Sequence, residues 1–438
     1  MTAAGTAPRQ FDKTPPAGRG AGARAWTVTA LLVVFMMVNF ADKSVLGLAA
    51  EQIRTDMGLS ATDFGLANSA FFLLFSVAGA AVGLLADRVR PKWLLLAMAL
   101  LWSIAQTPAA LGGGLAVLIG SRVMLGAAEG PAFPVAQQAA MSWFPNHRRN
   151  LPGALVTLGV TLGVITAAPG LTWVINHHGW RAALWVLAAV GVLWAVAWAL
   201  LGADGPYRTN TPEAPSTTSG PVSDTAAARP AYRRILGTRT WLGTTLAYFT
   251  SYWTLALMLA WLPSYLRSGL GHSPSASANL VALTWVLGGL TLLGQAAVTG
   301  WLMRRGVSSR WARGRVGSGL LFIGAAACLA VPLVDGTAAK TALLAVGLGL
   351  GGSFAAVAVT TITELAPPAR RGGALGTMNA TVTTAGLIAP AVVGHLLDTQ
   401  GETGYQSAIV LSGALLLLGA LAALTLIDPA RDATRANT

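Results

Sequence analysis

The stretch PNHRRNLPGAL at residues 145–155 returns in altered form as PPARRGGAL at residues 367–375. In both copies a proline precedes an arginine pair, and Gly-Ala-Leu follows it. The arginine pairs stand at 148–149 and 370–371, and the Gly-Ala-Leu triplets at 153–155 and 373–375. Farther along the two copies, Pro169 and Pro390 each end an Ala-Pro pair. All three features recur at a spacing close to half the chain, which predicts two similar halves in the same orientation.

Hydrophobic residues make up 54% of the 438-residue chain and charged residues only 10%, and the mean hydropathy is +0.60. A soluble domain carries about 25% charged residues. A membrane-spanning helix needs about 20 mostly apolar residues. Because hydrocarbon offers no hydrogen-bond partners, the backbone groups of such a run must bond to each other within a helix. The sequence therefore predicts an all-α integral membrane protein with twelve transmembrane helices. The twelve runs lie at residues 25–48, 66–86, 93–111, 115–138, 152–176, 181–202, 241–265, 279–303, 316–334, 341–364, 373–397 and 405–427.

A long hydrophilic stretch separates the first six runs from the last six. It is rich in proline, serine and threonine, which is typical of a loop or linker. We expect a substrate site near the midplane, between the two six-helix halves. The predicted divisions are a cytoplasmic tail at 1–24, the N-terminal bundle at 25–202, a cytoplasmic linker at 203–240, the C-terminal bundle at 241–427 and a second cytoplasmic tail at 428–438.

Basic residues are distributed unevenly between the two sides of the predicted helices. If the N-terminus is cytoplasmic, 23 of the 29 Lys and Arg residues fall in cytoplasmic segments and only four in external loops. This asymmetry follows the positive-inside rule and predicts that both termini are cytoplasmic. It also accounts for the net charge of +13, because anionic lipid headgroups attract basic residues at this face. Nucleic-acid binding is not expected, since no segment could form the basic face of a folded domain.

Several motifs resemble those of the major facilitator superfamily. GLLADRVRPK at residues 83–92 is similar to the signature loop between the second and third helices of that family. NFADKSVLGLA at 39–49 and SRVMLGAAEGPAFP at 121–134 resemble its anion:cation symporter branch. The resemblance implies a major facilitator fold and the import of organic anions, such as hexuronates, galactonate, other small carboxylates or aromatic acids. It also implies proton symport, which most bacterial members use.

The signature loop predicts a cytoplasmic latch between the halves. We expect Gly83, Asp87 and Arg88 to act there with Arg148 and Arg149 of the next cytoplasmic connection. Charge pairs and helix-end dipoles would hold the halves together in the outward-open state. The alternative is that these charges only set the topology.

The sequence departs from the family pattern at four positions. Arg90 replaces the usual glycine of the signature loop, and Arg304 stands in the second half where an acidic residue would be expected. Lys43 occupies a position that is commonly arginine in sugar-acid transporters, and Phe75 one that is commonly tyrosine. These changes bear on gating and on the identity of the substrate rather than on the fold.

Four charged residues lie well inside the predicted helices: Asp42, Lys43, Arg122 and Glu129. A charge at the bilayer centre costs about 2.5–3.5 kcal/mol on insertion scales, so such residues usually face a cavity and act on substrates or protons. A rise of about 1.5 Å per residue places Asp42 and Arg122 at similar depths. Glu129 follows Arg122 by two turns and shares its face, about 10 Å deeper. We therefore predict an ion pair between Asp42 and Arg122, with Lys43 left free to bind the carboxylate of a substrate.

Asp42, Glu129 and Arg122 are the predicted proton-coupling residues. An anion that enters the cavity would crowd the two carboxylates, and protonation of one of them would relieve the repulsion. Proton binding and anion binding would then favour each other. The alternative is a fixed ion-pair network that only holds two helices together, and both interpretations can be true.

The predicted substrate-binding residues are Lys43, Phe75, Asn379, Tyr248 and Tyr252. Asn379 is assigned on the resemblance, with helix packing as the alternative. The two tyrosines belong to an aromatic run in the seventh helix, which could stack on a substrate or only pack. With one uncommitted cation, the cavity is expected to prefer a monocarboxylate such as a sugar acid or an aromatic acid.

Other classes of function find little support in the sequence. Five scattered histidines and a single cysteine do not predict a catalytic or metal site, so neither an enzyme nor a cofactor is expected. The predicted function is secondary active import of a small organic anion by proton symport, by a monomer in the inner membrane of a bacterium. A drug or metabolite exporter that uses proton antiport is the alternative, and a transporter-like sensor is a more remote one. A free buried lysine argues against the export of cations.

Overall fold

The structure is a computed structural model, and it describes residues 19–85, 89–145, 148–207, 232–367 and 370–437. Across these residues the chain forms helices and their connections without a β-strand, as the hydropathy predicts. The helices are α1 (Arg19–Leu48), α2 (Ala50–Met57), α3 (Ala61–Leu85), α4 (Pro91–Leu111), α5 (Leu115–Glu129), α6 (Ala132–Met141), α7 (Asn150–His178), α8 (Trp180–Leu201), α9 (Tyr232–Leu236), α10 (Arg239–Ala260), α11 (Leu262–Ser264), α12 (Pro274–Arg304), α13 (Val316–Ala330), α14 (Thr337–Gly351), α15 (Ala355–Leu365), α16 (Arg371–Gln400), α17 (Thr403–Leu426) and α18 (Pro429–Asn437).

Within the described ranges, eleven helical segments are long and apolar enough to cross a membrane. Two of them are broken helices that count as one span each, α5 with α6 and α14 with α15. A further span is bent by 56° where α10 meets α11 and the π-helical turn Tyr265–Gly269. The prediction of twelve transmembrane helices is confirmed when this bent pair counts as one span. The tail predicted at 428–438 contains α18, and α9 lies at the end of the predicted linker, of which residues 208–231 lie outside the described residues.

The sequence repeat appears in the structure as a repeated contact. The side chain of Arg149 donates a hydrogen bond from Nε to the carbonyl oxygen of Phe144, at 3.0 Å. Arg371, the corresponding residue of the second copy, donates from Nε to the carbonyl oxygen of Ala366, at 3.1 Å. Each arginine thus folds back over the connection that precedes a long helix, α7 or α16, and each of these helices contains an internal proline.

The two halves pack against each other along two helix pairs, α3 with α16 and α7 with α12. Glycines bring the backbones of α3 and α16 together. A Cβ atom at Gly65 would lie 2.3 Å from the carbonyl oxygen of Pro390, and one at Gly394 would lie 2.3 Å from that of Ala61. Since lipid is as apolar as the helices, close backbone packing of this kind is a main source of helix association in membranes.

Polar contacts join the halves at the end of the molecule where α1 ends and α3 begins, which we call the closed end. The carboxylate of Asp398 on α16 accepts hydrogen bonds from the backbone N–H groups of Ala61, at 2.8 Å, and Thr62, at 2.7 Å. Arg267 forms an ion pair with Glu51 at 2.8 Å. The closed end is therefore fixed by a helix cap and an ion pair that both cross the interface.

The hydrogen bonds between the halves end part-way along α3. Within the described part of the chain, the one farthest from the closed end joins the hydroxyl groups of Ser76 on α3 and Thr383 on α16. Ser76 lies fifteen residues beyond Ala61, which is about 22 Å along the helix. Among the described residues, the hydrogen bonds between the halves therefore lie at the closed end and along the first part of α3.

Replacing Asp398 should loosen the closed end. A hydrogen bond to a charged group contributes about 1.5–3 kcal/mol, so we expect Asp398→Ala to raise hydrogen exchange at the amides of Ala61 and Thr62 by roughly tenfold or more. Asp63→Ala is a matched control, because among the described residues the carboxylate of Asp63 accepts hydrogen bonds from Ser60 of its own half. Equal exchange in wild type and Asp398→Ala would show that the carboxylate does not hold this end shut.

Candidate functional site

Four buried charges from two helices form one cluster in the N-terminal half, which we call the charge cluster. Asp42 and Lys43 lie on α1, and Arg122 and Glu129 lie on α5. Their exposed fractions range from 0% for Asp42 to 7% for Lys43. The charges that the sequence places inside separate helices are thus in one place.

Two glycines one turn apart hold α5 against α3. A Cβ atom at Gly126 would lie 1.8 Å from the carbonyl oxygen of Phe71, and one at Gly130 would lie 2.0 Å from that of Phe75. Any larger residue would push the helices apart. This packing sets the guanidinium group of Arg122 over the Phe71 ring, with 5.3 Å between Cζ and the ring centre.

The ammonium group of Lys43 is the hub of the charge cluster. It donates hydrogen bonds to Oε2 of Glu129, as an ion pair, and to Oδ1 of Asn39, at 2.5 Å. The ring centres of Phe40 and Phe71 lie 4.8 and 5.4 Å from Nζ, a distance at which aromatic rings attract a cation. In this conformation Lys43 is therefore paired, whereas the sequence predicts it to be free.

The predicted ion pair between Asp42 and Arg122 is wrong for this conformation. No salt bridge joins the two among the described residues. Oδ1 of Asp42 instead accepts a hydrogen bond from Nε2 of Gln106 on α4, at 3.2 Å. Depth along a helix does not fix the direction of a side chain, and consecutive residues point about 100° apart. Lys43, not Asp42, is the α1 residue that faces the carboxylate of α5.

Several buried polar atoms of the charge cluster and of the two amides beside it have no hydrogen-bond partner among the described residues. An unsatisfied buried polar atom costs about 1–3 kcal/mol. Such atoms are uncommon in native structures, and a functional role is one established reason for them. They are Nδ2 of Asn39, Oδ2 of Asp42, Oε1 of Gln106, Nε of Arg122 and Oε1 of Glu129.

A cavity of about 20 Å³ lies between the charge cluster and the C-terminal half. This volume is close to that of one water molecule, so the site is tightly closed in this conformation. Both cations of the cluster face the cavity. It is lined by Lys43, Asn68, Phe71 and Arg122 from the N-terminal half and by Leu259 and Pro390, among others, from the C-terminal half.

The predicted aromatic residues lie around this cavity. Phe75 stands beside Lys43, with 5.6 Å between Nζ and the ring centre. Tyr252 packs edge-on against Phe72, which lines the cavity, at 6.0 Å between ring centres. Tyr248 packs against Tyr252 at 6.2 Å. The two tyrosines therefore form a layer behind the cavity wall, and their contact with a substrate stays a prediction.

Asn379 lies apart from the cavity. Its side chain is exposed, and its carbonyl oxygen accepts a hydrogen bond from the hydroxyl group of Thr383 one turn further along α16. Thr383 makes the hydrogen bond between the halves that lies farthest from the closed end, so Asn379 lies one turn beyond that bond. Asn379 does not line the cavity in this structure, and its contact with a substrate stays a prediction.

Three buried amide side chains at the site were not predicted from the sequence: Asn39, Asn68 and Gln106. Amide side chains inside membrane helices usually bond to a neighbour, so each was a detectable signal. Asn39 stands one turn before Lys43 and could have been assigned to it. The partner of Gln106 could not, because the sequence does not show that α4 lies beside α1.

The predicted latch is described only in part. Gly83 lies in α3, and Arg148 is exposed near the end of the connection to α7. Arg149 bonds to a carbonyl oxygen of its own half. Asp87 and Arg88 lie outside the described residues, so the latch stays a prediction.

A family model described as Major Facilitator Superfamily matches residues 32–360 and 341–438. A probable sulfoacetate transporter of Cupriavidus necator is 30% identical over 411 residues, which cover 91% of this chain and 92% of the relative. A hexuronate transporter of Bacillus subtilis is 27% identical, covering 91% of this chain and 94% of the relative. A probable L-galactonate transporter of Escherichia coli is also 27% identical, covering 92% and 91%.

Solved structures share the fold at low sequence identity. A bacterial homologue of the human lysosomal transporter Spinster, inward-facing and unoccupied, superimposes with a TM-score of 0.76 at 17% identity, covering 94% of this chain and 98% of that one. A D-xylose–proton symporter superimposes with a TM-score of 0.75 at 14% identity, covering 93% and 99%. The twelve-helix arrangement in two halves is thus one that known transporters adopt.

Proposed function

Because the chain belongs to the major facilitator superfamily, we propose that it imports a small organic anion together with protons, by alternating access. It is a multi-pass membrane transporter rather than an enzyme, and its relatives are named as transporters of sulfoacetate, hexuronate and galactonate. One observation carries the proposal. The ion pair between Lys43 and Glu129 lies against a cavity that a second buried cation, Arg122, also lines.

The Lys43–Glu129 pair supplies a mechanism of coupling. The lysine ammonium can hold the Glu129 carboxylate or the carboxylate of a substrate, and the two anions compete for it. A proton that binds Glu129 removes its charge and releases Lys43 to the substrate. By linkage, a substrate that occupies Lys43 favours protonation of Glu129 to the same extent. Proton and anion therefore bind together.

Asp42 is a second proton carrier in this scheme. Gln106 bonds to one carboxylate oxygen of Asp42, and the other oxygen has no partner among the described residues. A proton on that oxygen would remove a buried negative charge close to the substrate site. Asp42 thus adjusts the charge of the cluster without contacting the anion itself.

The conformation fits one stage of alternating access. With the orientation that the basic residues predict, both termini are cytoplasmic and the closed end is external. The structure then corresponds to a state that is closed on the external side, as the inward-facing state of the transport cycle is. In the opposite state the latch of Asp87 and Arg88 with Arg148 and Arg149 would close the cytoplasmic end. Relatives from bacteria favour the inner, or plasma, membrane as its location.

Proton-coupled import can be tested with purified protein in sealed liposomes. Sulfoacetate, D-glucuronate or L-galactonate is added outside without a pH gradient, and a trapped dye reports internal pH. We expect at least one acid to acidify the lumen in liposomes with wild-type protein and not in empty ones. Anion uptake without acidification would rule out proton symport. Proton movement in response to lipophilic cations alone would favour the exporter.

Arg122 changes the expected charge of the substrate. The expected preference for monocarboxylates assumes that Asp42 neutralises Arg122, and the structure removes that premise. We expect sulfoacetate, a dianion, to bind at least as tightly as glycolate, a monoanion of similar size. Arg122→Gln should weaken sulfoacetate binding by about 1.5–3 kcal/mol and glycolate less, as measured by calorimetry. Arg122→Lys is the matched control, and equal losses for both acids would contradict a direct contact.

A further inference from the structure

The connection between α12 and α13 carries an unusual density of arginine. Residues 304–315 contain five arginines and no acidic residue. By the repeat, this connection corresponds to the signature loop that contains Asp87, yet Arg304 stands where an acid would be expected. The latch proposed for the first half therefore gives no role to this connection.

Two tryptophans accompany these arginines on the outside of the molecule. Trp301 is 45% exposed and Trp311 is 53% exposed. The guanidinium carbon of Arg305 lies 4.0 Å from the ring centre of Trp301, and that of Arg315 lies 3.2 Å from the ring centre of Trp311. Both contacts are within cation–π range. Each exposed ring thus carries a positive charge on its face.

A hydrogen bond connects the two sides of this surface. The hydroxyl group of Thr299 on α12 donates to the carbonyl oxygen of Ala312, at 3.1 Å. Thr299 is two residues from Trp301, and Ala312 is next to Trp311. The end of α12 and the π-helical segment Arg310–Arg315 that leads into α13 therefore present one surface, which we call the Arg/Trp surface. It comprises Trp301, Arg304, Arg305, Trp311 and Arg315.

Three positive charges of the Arg/Trp surface have no acidic partner among the described residues. Arg313 is paired with Glu364, and Arg310 lies 3.7 Å from Asp428. The other three arginines make no ion pair with any acid in the part of the chain that the structure describes. Three positive charges thus remain beside two exposed aromatic rings, at the end of the bundle opposite the closed end.

We propose that the Arg/Trp surface binds the phosphate headgroups of anionic phospholipids. Tryptophan side chains favour the depth of the lipid headgroups, because part of the ring is apolar and part is polar. The planar fork of arginine fits phosphate oxygens in pairs. Basic residues gain about 1 kcal/mol each beside an anionic leaflet. The surface would anchor the C-terminal half at the membrane, a role separate from transport of the substrate.

Native mass spectrometry of the full-length protein can count bound phosphatidylglycerol and phosphatidylcholine. We expect wild type to prefer phosphatidylglycerol, and the triple variant Arg304→Gln, Arg305→Gln, Arg315→Gln to lose about fivefold in that preference for each arginine removed. The triple variant Arg233→Gln, Arg234→Gln, Arg239→Gln is the matched control. It removes the same charge from exposed positions at the same end, without an exposed tryptophan. Equal losses in both variants would show that the lipid preference depends only on the total charge at this end, and would overturn the proposal.

Two further measurements separate the contribution of the rings from that of the charges, and a lipid from a soluble phosphate. Trp301→Leu with Trp311→Leu keeps every charge, and we expect it to reduce the preference for phosphatidylglycerol severalfold; full retention would show that the rings take no part. Millimolar glycerol 3-phosphate should fail to displace phosphatidylglycerol, and efficient displacement would indicate a site for a soluble phosphate instead. Melting curves check that each variant is folded before lipid binding is compared.

Discussion

Replacing Glu129 by glutamine should abolish proton-driven accumulation of the substrate while leaving exchange across the membrane measurable. A gradient of one pH unit stores about 1.4 kcal/mol per proton, enough for roughly tenfold accumulation of a coupled solute. Glu129→Gln keeps the size of the side chain and removes its ability to exchange a proton. Lys43 then remains available to the anion at all times, so the anion binds and crosses without a proton. The accumulation ratio of labelled substrate in liposomes should fall to about one.

A second glutamate in a membrane-spanning segment provides the control. Glu364 on α15 accepts hydrogen bonds from Ser309 and Arg313, and lies away from the cavity. Glu364→Gln should therefore retain the accumulation ratio of wild type. Full proton-driven accumulation by Glu129→Gln would show that the Lys43–Glu129 pair is structural and would move the coupling role to Asp42.

The fold could be predicted from the sequence because its signals are local or repeated. Apolar length fixes the spans, and the arginine pairs at 148–149 and 370–371 fix the division into halves. The break of the seventh span between Ala260 and Leu262 was not predictable in the same way. Apolar length does not reveal it, and its local signal is Pro263, because a proline inside a helix removes a hydrogen bond and clashes with the preceding turn.

The residues of the site could be predicted from the sequence, but the contacts among them could not. Charges inside apolar runs stand out, so all four members of the charge cluster were found. Their pairing depends on the rotation of each helix and on its neighbours. Lys43 of α1 meets Glu129 of α5, and Gly126 brings α5 against α3; a sequence shows these residues but not the helices that they face. The error over Asp42 and Arg122 follows from this difference between depth and direction.

Lys43→Gln should nearly eliminate binding of the anion. The substitution removes the cation that Glu129 and the substrate share, and a charge-assisted hydrogen bond contributes about 1.5–3 kcal/mol. The dissociation constant should therefore rise by a factor of roughly 10 to 150. Lys43→Arg should retain part of the affinity, because the charge remains while the planar group imposes a different geometry. Calorimetry with sulfoacetate or D-glucuronate measures both effects.

Loss of binding has to be separated from loss of folding, and the ion pair allows this. Removing one partner of a buried pair destabilises a protein by about 3–5 kcal/mol, because the other charge stays buried and uncompensated. Lys43→Gln should therefore lower the melting temperature, and adding Glu129→Gln should restore much of it. The double variant should nonetheless bind the anion far more weakly than wild type, since neither change returns the ammonium group to the cavity. Recovery of anion binding along with stability would show that Lys43 acts on the fold and that another group, with Arg122 the first to test, holds the substrate.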